Sequence, residues 1–273
     1  MSCSLATRHQ DSRRRAKGLV CQQPCLFPIV SLLSTHFLRD RCLCKIPSHI
    51  SMLSDVPTMA DKDLKNTLKA ILKPEKFLAV YNLENLDPKG TILTGPQAAG
   101  GFMPNPEHDQ KFYDLTFHPI LIPLSKLPLA SLLQIDLAET LLPSPKAEDF
   151  PEQCLGLVVI LDQTRVFTGG SYNQRYTRCF FDPICEKLAR QLTAPPDDVR
   201  PDRANAWLAR GYTFEQYLSR VLMIWAPLVH SDNFMVNDRQ QVKDFIHRTR
   251  AEVEAHYHVL DPYAPSKHKT TST

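Results

Sequence analysis

Cys154-Leu155-Gly156-Leu157-Val158-Val159-Ile160-Leu161-Asp162-Gln163 is a near-unbroken apolar run that ends abruptly in a carboxylate and an amide. A segment this apolar is buried, so Asp162 and Gln163 are carried into or against the core, where each polar group needs a partner. Taken alone the run is ambiguous, because Val158, Val159 and Ile160 favour a strand while its length also fits a buried helix. No second strand-like run exists to pair with it, which favours a helix and an all-α chain.

Composition bounds what surrounds it. With 43% hydrophobic and 22% charged residues, the chain is long enough to bury a sizeable core as one large domain or two small ones. Net charge is only +3, and the basic excess is local. Residues 1 to 50 hold eight basic against two acidic residues, so the remainder carries 24 against 27 and has no nucleic-acid footprint. No apolar stretch approaches the roughly 20 residues of a membrane span. Five of the eight cysteines (Cys3, Cys21, Cys25, Cys42, Cys44) lie in the basic N-terminal part, without the paired C-x2-C elements of a zinc site. Neither a metal nor a cofactor is expected. Cys154, Cys179 and Cys185 sit in apolar contexts and read as buried free thiols of a reducing, cytoplasmic compartment.

Residues 1 to 58 lack sustained periodicity and are poor in acids, as suits a disordered or organelle-targeting leader, or a start codon placed too early, with Met52 and Met59 as alternative starts. The ordered domain is expected over 59–265 and a frayed polar tail over 266–273. Leu64, Leu68, Ile71 and Leu72 form one helical stripe that Pro74 closes, and the Gly- and Pro-rich stretch 82–107 reads as a long loop. Two helices with poorly defined ends are expected between His108 and Leu142. Beyond the apolar run, Asp182 reads as an N-cap ahead of Pro183, with Ile184, Leu188 and Leu192 facing inward. The clearest helix carries Phe214, Tyr217, Leu218, Val221, Leu222 and Trp225 behind a Thr213-x-x-Gln216 capping box, and Pro227 is expected to stop or kink it. A last helix is expected over 238–257. Trp207, Tyr212, Tyr217, Trp225 and Phe245 fall at core spacing and read as packing.

Leu161-Asp162-Gln163, then Phe180-Phe181-Asp182, then Ala226-Pro227-Leu228-Val229-His230-Ser231-Asp232 form an ordered set that resembles the signature of the family called domain of unknown function 924. The similarity covers roughly residues 108 to 246. It departs from the family where Thr164-Arg165-Val166-Phe167 replaces the usual Phe-Pro-Arg-Asn, and the usual C-terminal Phe-Gly-Arg-Phe-Pro-x-Arg-Asn is missing. The resemblance implies an all-helical protein, either a single bundle or a short tetratricopeptide-like array, and implies no activity.

Two functional classes follow. In one, polar groups at helix ends form a pocket for a small organic molecule, with Asp162, His230 and Asp232 as the acid/base set and Gln163, Arg165 and Arg178 holding the substrate. That would be a cofactor-free isomerase, cyclase or hydrolase of small-molecule or secondary metabolism. In the other, the helices present a groove to a partner protein, and His230-Ser231-Asp232 merely caps a helix. Antiparallel packing of the apolar run with the helix ending at Pro227 is the arrangement invoked to gather the first set of residues.

Overall fold

The computed structural model describes residues 60–83, 106–163, 177–230 and 236–258. Among them 79% are helical and none forms a strand, so the fold is all-α. The apolar run is the end of helix α7 (Phe150–Asp162), and every residue of α7 except Glu152 is buried. Such burial on all sides is why its sequence shows no amphipathic stripe. Helix α2 (Pro74–Leu83), helix α8 (Asp182–Thr193) and helix α10 (Phe214–His230) all pack on it. A solenoid repeat touches only its sequence neighbours. Here α7 is wrapped by helices far from it in the chain on both sides, so the architecture is a bundle around a central helix.

Close approach makes that possible at one point. Gly156 lies against the backbone of Phe77 in α2, and a Cβ at Gly156 would fall 2.1 Å from the Phe77 carbonyl oxygen. Glycine is a poor helix former, and its presence inside α7 is explained by the α2 backbone that occupies the side-chain space. Phe77 faces Gly156, while Tyr81, one turn later in α2, joins the group around Glu152, one turn earlier in α7. The two helices are therefore antiparallel.

Several sequence expectations change in detail. Helix α1 (Asp61–Ile71) buries Leu64 and Leu68 as its stripe predicts, but Pro74 opens α2 rather than merely closing α1, since proline suits a first helical turn. Helix α3 (Pro106–Thr116) begins inside the expected loop, whose residues 84–105 lie outside those described. It runs on through a π-helical turn (Phe117–Leu121) into the short α4 (Ile122–Ser125), and α5 (Leu129–Leu132) and α6 (Leu137–Leu141) follow. Prolines 119, 123 and 128 break the apolar pattern, which hid this continuity. Asp136 caps α6 by accepting from Glu139 N at 2.9 Å, and Gln191 of α8 accepts from Leu137 N and Ala138 N. A side chain 54 residues away thus satisfies amides that a local cap leaves open.

Asp182 is not an N-cap. A π-helical turn over Thr177–Phe181 leads directly into α8, so Asp182 sits inside one continuous helical stretch. Pro227 does not stop α10, which continues to His230; a proline within a turn of the end sacrifices little of the hydrogen-bond ladder. The Thr213/Gln216 capping box forms in both directions, at 2.8 and 3.3 Å. After α9 (Ala204–Leu208) and α10, helix α11 (Val236–Tyr257) returns antiparallel along α10: Trp225 stacks on Phe245 at 4.5 Å and Phe214 on His256 at 4.1 Å. Cys154 and Cys185 are buried free thiols, but Cys179 is exposed, because it lies on the π-turn ahead of α8 rather than on its inner face. Trp207, Tyr212, Tyr217, Trp225 and Phe245 are all buried.

Candidate functional site

The central helix carries a carboxylate at each end. At its close, Asp162 is 2% exposed and accepts a hydrogen bond from Gln163 Nε2 at 2.8 Å. Burial requires such partners, and position makes the group more unusual still: a carboxylate at a helix C-terminus faces the negative end of the macrodipole. The structure therefore joins Asp162 to Gln163. His230 is the last residue of α10, but its side chain and that of Arg178 lie outside the described set, as do Arg165 and Asp232 entirely. Residues 1–59 and 259–273, including the expected leader and tail, lie outside it as well.

The antiparallel α7/α10 pairing is corrected. Tyr212, just before α10, donates its hydroxyl to Glu152 Oε1 at 2.9 Å, and Arg210 Nη1 donates to Glu152 Oε2 at 3.0 Å. Both helices therefore start at the same end, because the short turn after α9 delivers the chain to the beginning of α7. Asp162 and His230, the last residues of the two helices, are both carried away from that end, so it is the shared start, not an antiparallel pairing, that sends both in the same sense.

At the shared start lies an open cleft of about 520 Å³, lined by Leu78, Tyr81, Asn82, Glu148, Asp149, Glu152 and Tyr212. Its floor is a pair of buried tyrosines whose hydroxyls are 2.9 Å apart. Behind them Arg220, 2% exposed, donates from Nε to Tyr81 Oη at 3.0 Å and from Nη1 to Gln216 O at 2.9 Å. Its guanidinium carbon sits 4.5 Å from the Tyr212 ring centroid, 5.5 Å from Trp207 and 5.7 Å from Tyr81, an aromatic cage for a cation. Arg210 also donates from Nη2 to Ala147 O at 3.0 Å, which fixes the guanidinium on Glu152. Burial, then the bonds to Tyr81 and Glu152, push the Tyr212 phenol above the ordinary tyrosine range. Burial likewise raises Tyr81, although Arg220 beside it pulls the other way.

Sequence reading missed this site. Tyr212 and Trp207 were expected as packing, which they are, and Glu152 stands just before the apolar run. The available signal was Arg220, a charged residue three positions after the core residue Tyr217 and four before buried Ile224, hence on the inner face of α10.

A second buried polar centre joins the segment between α8 and α9 to the bundle. Asp202 is fully buried and takes both Nε and Nη2 of Arg200 at 2.7 Å, Trp225 Nε1 at 2.9 Å and Arg248 Nη2 at 3.1 Å. Burial opposes its ionisation, yet the Arg200 fork, the indole and Arg248 outweigh that and hold the carboxyl below the usual range. Its partners come from the segment before α9, from α10 and from α11, so it pins that segment to the bundle.

Among the described residues no three His, Cys, Asp or Glu side chains gather as a metal site needs, and no helix is long and apolar enough to cross a membrane. No protein-family model matches the chain, and neither a curated protein nor a solved structure matches it.

Proposed function

We propose that the protein is a helical interaction module that takes a segment of a partner protein in the cleft where α2 ends and α7 and α10 begin. The observation that supports this is the chemistry of that cleft. It is open, and its inner polar groups are already bonded to one another, with a Tyr212 phenol that keeps its proton at neutral pH. Such an arrangement holds a ligand better than it moves a proton. A reducing, cytoplasmic setting belongs to the same reading, and the buried free thiols of Cys154 and Cys185 support it.

The test is titration of the full chain with basic, acidic and apolar peptides, read by chemical-shift changes. Saturable binding of at least one class is expected, weakened by Asn82→Trp, which fills the exposed rim without touching the core. The reading fails if no peptide binds more tightly than about 1 mM, the level of a nonspecific encounter.

One observation favours the other reading, a cofactor-free acid/base enzyme acting on a small organic molecule. Asp162 is a buried carboxylate at the unfavourable end of a helix, and placements that break a local rule concentrate at functional sites. In that reading His230 and Asp232 complete the acid/base set, with Gln163, Arg165 and Arg178 as substrate contacts, and the resemblance to domain of unknown function 924 rests on the same motifs. Asp162→Asn and His230→Ala would then abolish conversion of a candidate metabolite at unchanged melting temperature. Loss of activity that always tracks loss of fold would sink it.

A further inference from the structure

The hydrogen bonds below the cleft have only one possible direction. A guanidinium donates and cannot accept, so Tyr81 Oη accepts from Arg220 Nε. At the other end Tyr212 donates its single proton to Glu152 Oε1. The 2.9 Å bond between the phenols is therefore donated by Tyr81 to Tyr212. A buried cation is thus wired through two hydroxyls, in one sense, to a carboxylate that faces the cleft. Chains polarised in this way strengthen each successive bond.

That wiring leaves Glu152 fixed but not saturated. One donor sits on each oxygen, Tyr212 on Oε1 and Arg210 on Oε2, while a carboxylate has about four acceptor positions. Its side chain is 13% exposed and lines the cleft. The lining carries three carboxylates, Glu148, Asp149 and Glu152, and no cationic side chain. Set against Arg210 and Arg220, the three carry one formal negative charge in excess, which the positive end of the α7 dipole reduces without cancelling. A cationic side chain entering the cleft complements that excess. Leu78 and the two tyrosine rings supply an apolar wall of the kind that a lysine or arginine stem packs against.

We propose that the cleft receives the ammonium or guanidinium end of one side chain from a basic segment of a partner protein, with Glu152 as its anchor and Arg220 as a positioning residue acting through Tyr81 and Tyr212. This rests on the interaction-module reading above and names the chemistry of the segment. Fixing the carboxylate before binding removes part of the ordering penalty, which is how a remote residue changes affinity.

The experiment compares four peptides of identical flanks whose central residue is arginine, lysine, citrulline or glutamate, titrated by chemical shift against the full chain. Arginine and lysine peptides are expected to bind about tenfold or more tightly than citrulline, the selectivity of one charge-assisted hydrogen bond. Glu152→Gln should bring that ratio close to one. Tyr81→Phe, which interrupts the wire with a single atom removed, and Arg220→Met should each reduce the ratio severalfold, while Arg220→Lys, which restores a buried donor and charge, should recover much of it. A merely structural Arg220 would lower the melting temperature and leave the ratio alone. Should Arg220→Met fail to fold, Tyr81→Phe decides the positioning role. Equal binding of citrulline and arginine peptides overturns the cation assignment while leaving the module reading intact; binding of no peptide overturns both. A ratio unchanged in Tyr81→Phe removes Arg220 from the site.

Discussion

Asp202 shows how much one residue controls. It lies between α8 and α9, directly after Pro201, yet it is the fully buried acceptor for Arg200, Trp225 and Arg248. Removing one partner of a buried ionic cluster strands the others; because the Arg200 and Arg248 side chains keep 13% and 25% exposure, Asp202→Asn should destabilise by about 3 kcal/mol, the low end for such changes. The pH dependence has a definite sign. The folded-state pKa lies below that of the unfolded chain, so the carboxylate contributes stability fully present above about pH 4 and lost as pH falls through the folded value. Chemical denaturation from pH 7 to 3 should show the gap between parent and Asp202→Asn narrowing in acid, and a gap constant with pH would refute this. Trp225→Ala removes both the Phe245 stack and the indole donor and should cost about 3 to 5 kcal/mol.

For the elements, the α2/α7 contact is the sharpest constraint. On an exposed helix Gly→Ala stabilises by about 1 kcal/mol. At Gly156 the added methyl meets the Phe77 carbonyl, a backbone atom that cannot rotate aside, so Gly156→Ala should instead destabilise by about 1 to 3 kcal/mol. A melting temperature that rises would show that α2 can retreat. Helix α10 offers the opposite kind of site, a purely local one. Its capping box is exposed and complete, and Thr213→Ala should lower stability by about 1 kcal/mol without altering the cleft, as measured by denaturation. This element was legible because its signals are local: a cap three residues from its partner and apolar residues at three and four. The π-turns at Phe117–Leu121 and Thr177–Phe181 were not, since nothing in a 3.6-residue pattern announces an extra residue in a turn.

At the scale of the molecule, one hydrophobic cluster among the described residues runs from Leu64 in α1 to Phe245 in α11, with α7 at its centre. A single core predicts a single transition. Both tryptophans, Trp207 and Trp225, belong to the second half of the chain, so their fluorescence reports that half while far-ultraviolet circular dichroism reports every helix. The two signals should coincide on denaturation. Gly156→Ala and Asp202→Asn share no partner, and their effects should add within about 0.5 kcal/mol. Separate transitions would divide the bundle in two.

By itself the sequence determined the all-α class, the burial of 154–162, the aromatic core positions and the α10 start, because periodicity, apolar runs and caps are written within a few residues of one another. Only the tertiary structure decided what the polar groups meet. Tyr81, Glu152, Tyr212 and Arg220 are separated by up to 139 residues, and their chain exists because Gly156 lets α2 lie against α7 and the turn at Gly211 starts α10 beside it. The α7/α10 direction belongs to the same class of fact. Hydrophobic patterning fixes which face of a helix is buried, but it is silent on which way the helix points, since that is set by loop reach and by polar contacts between distant residues.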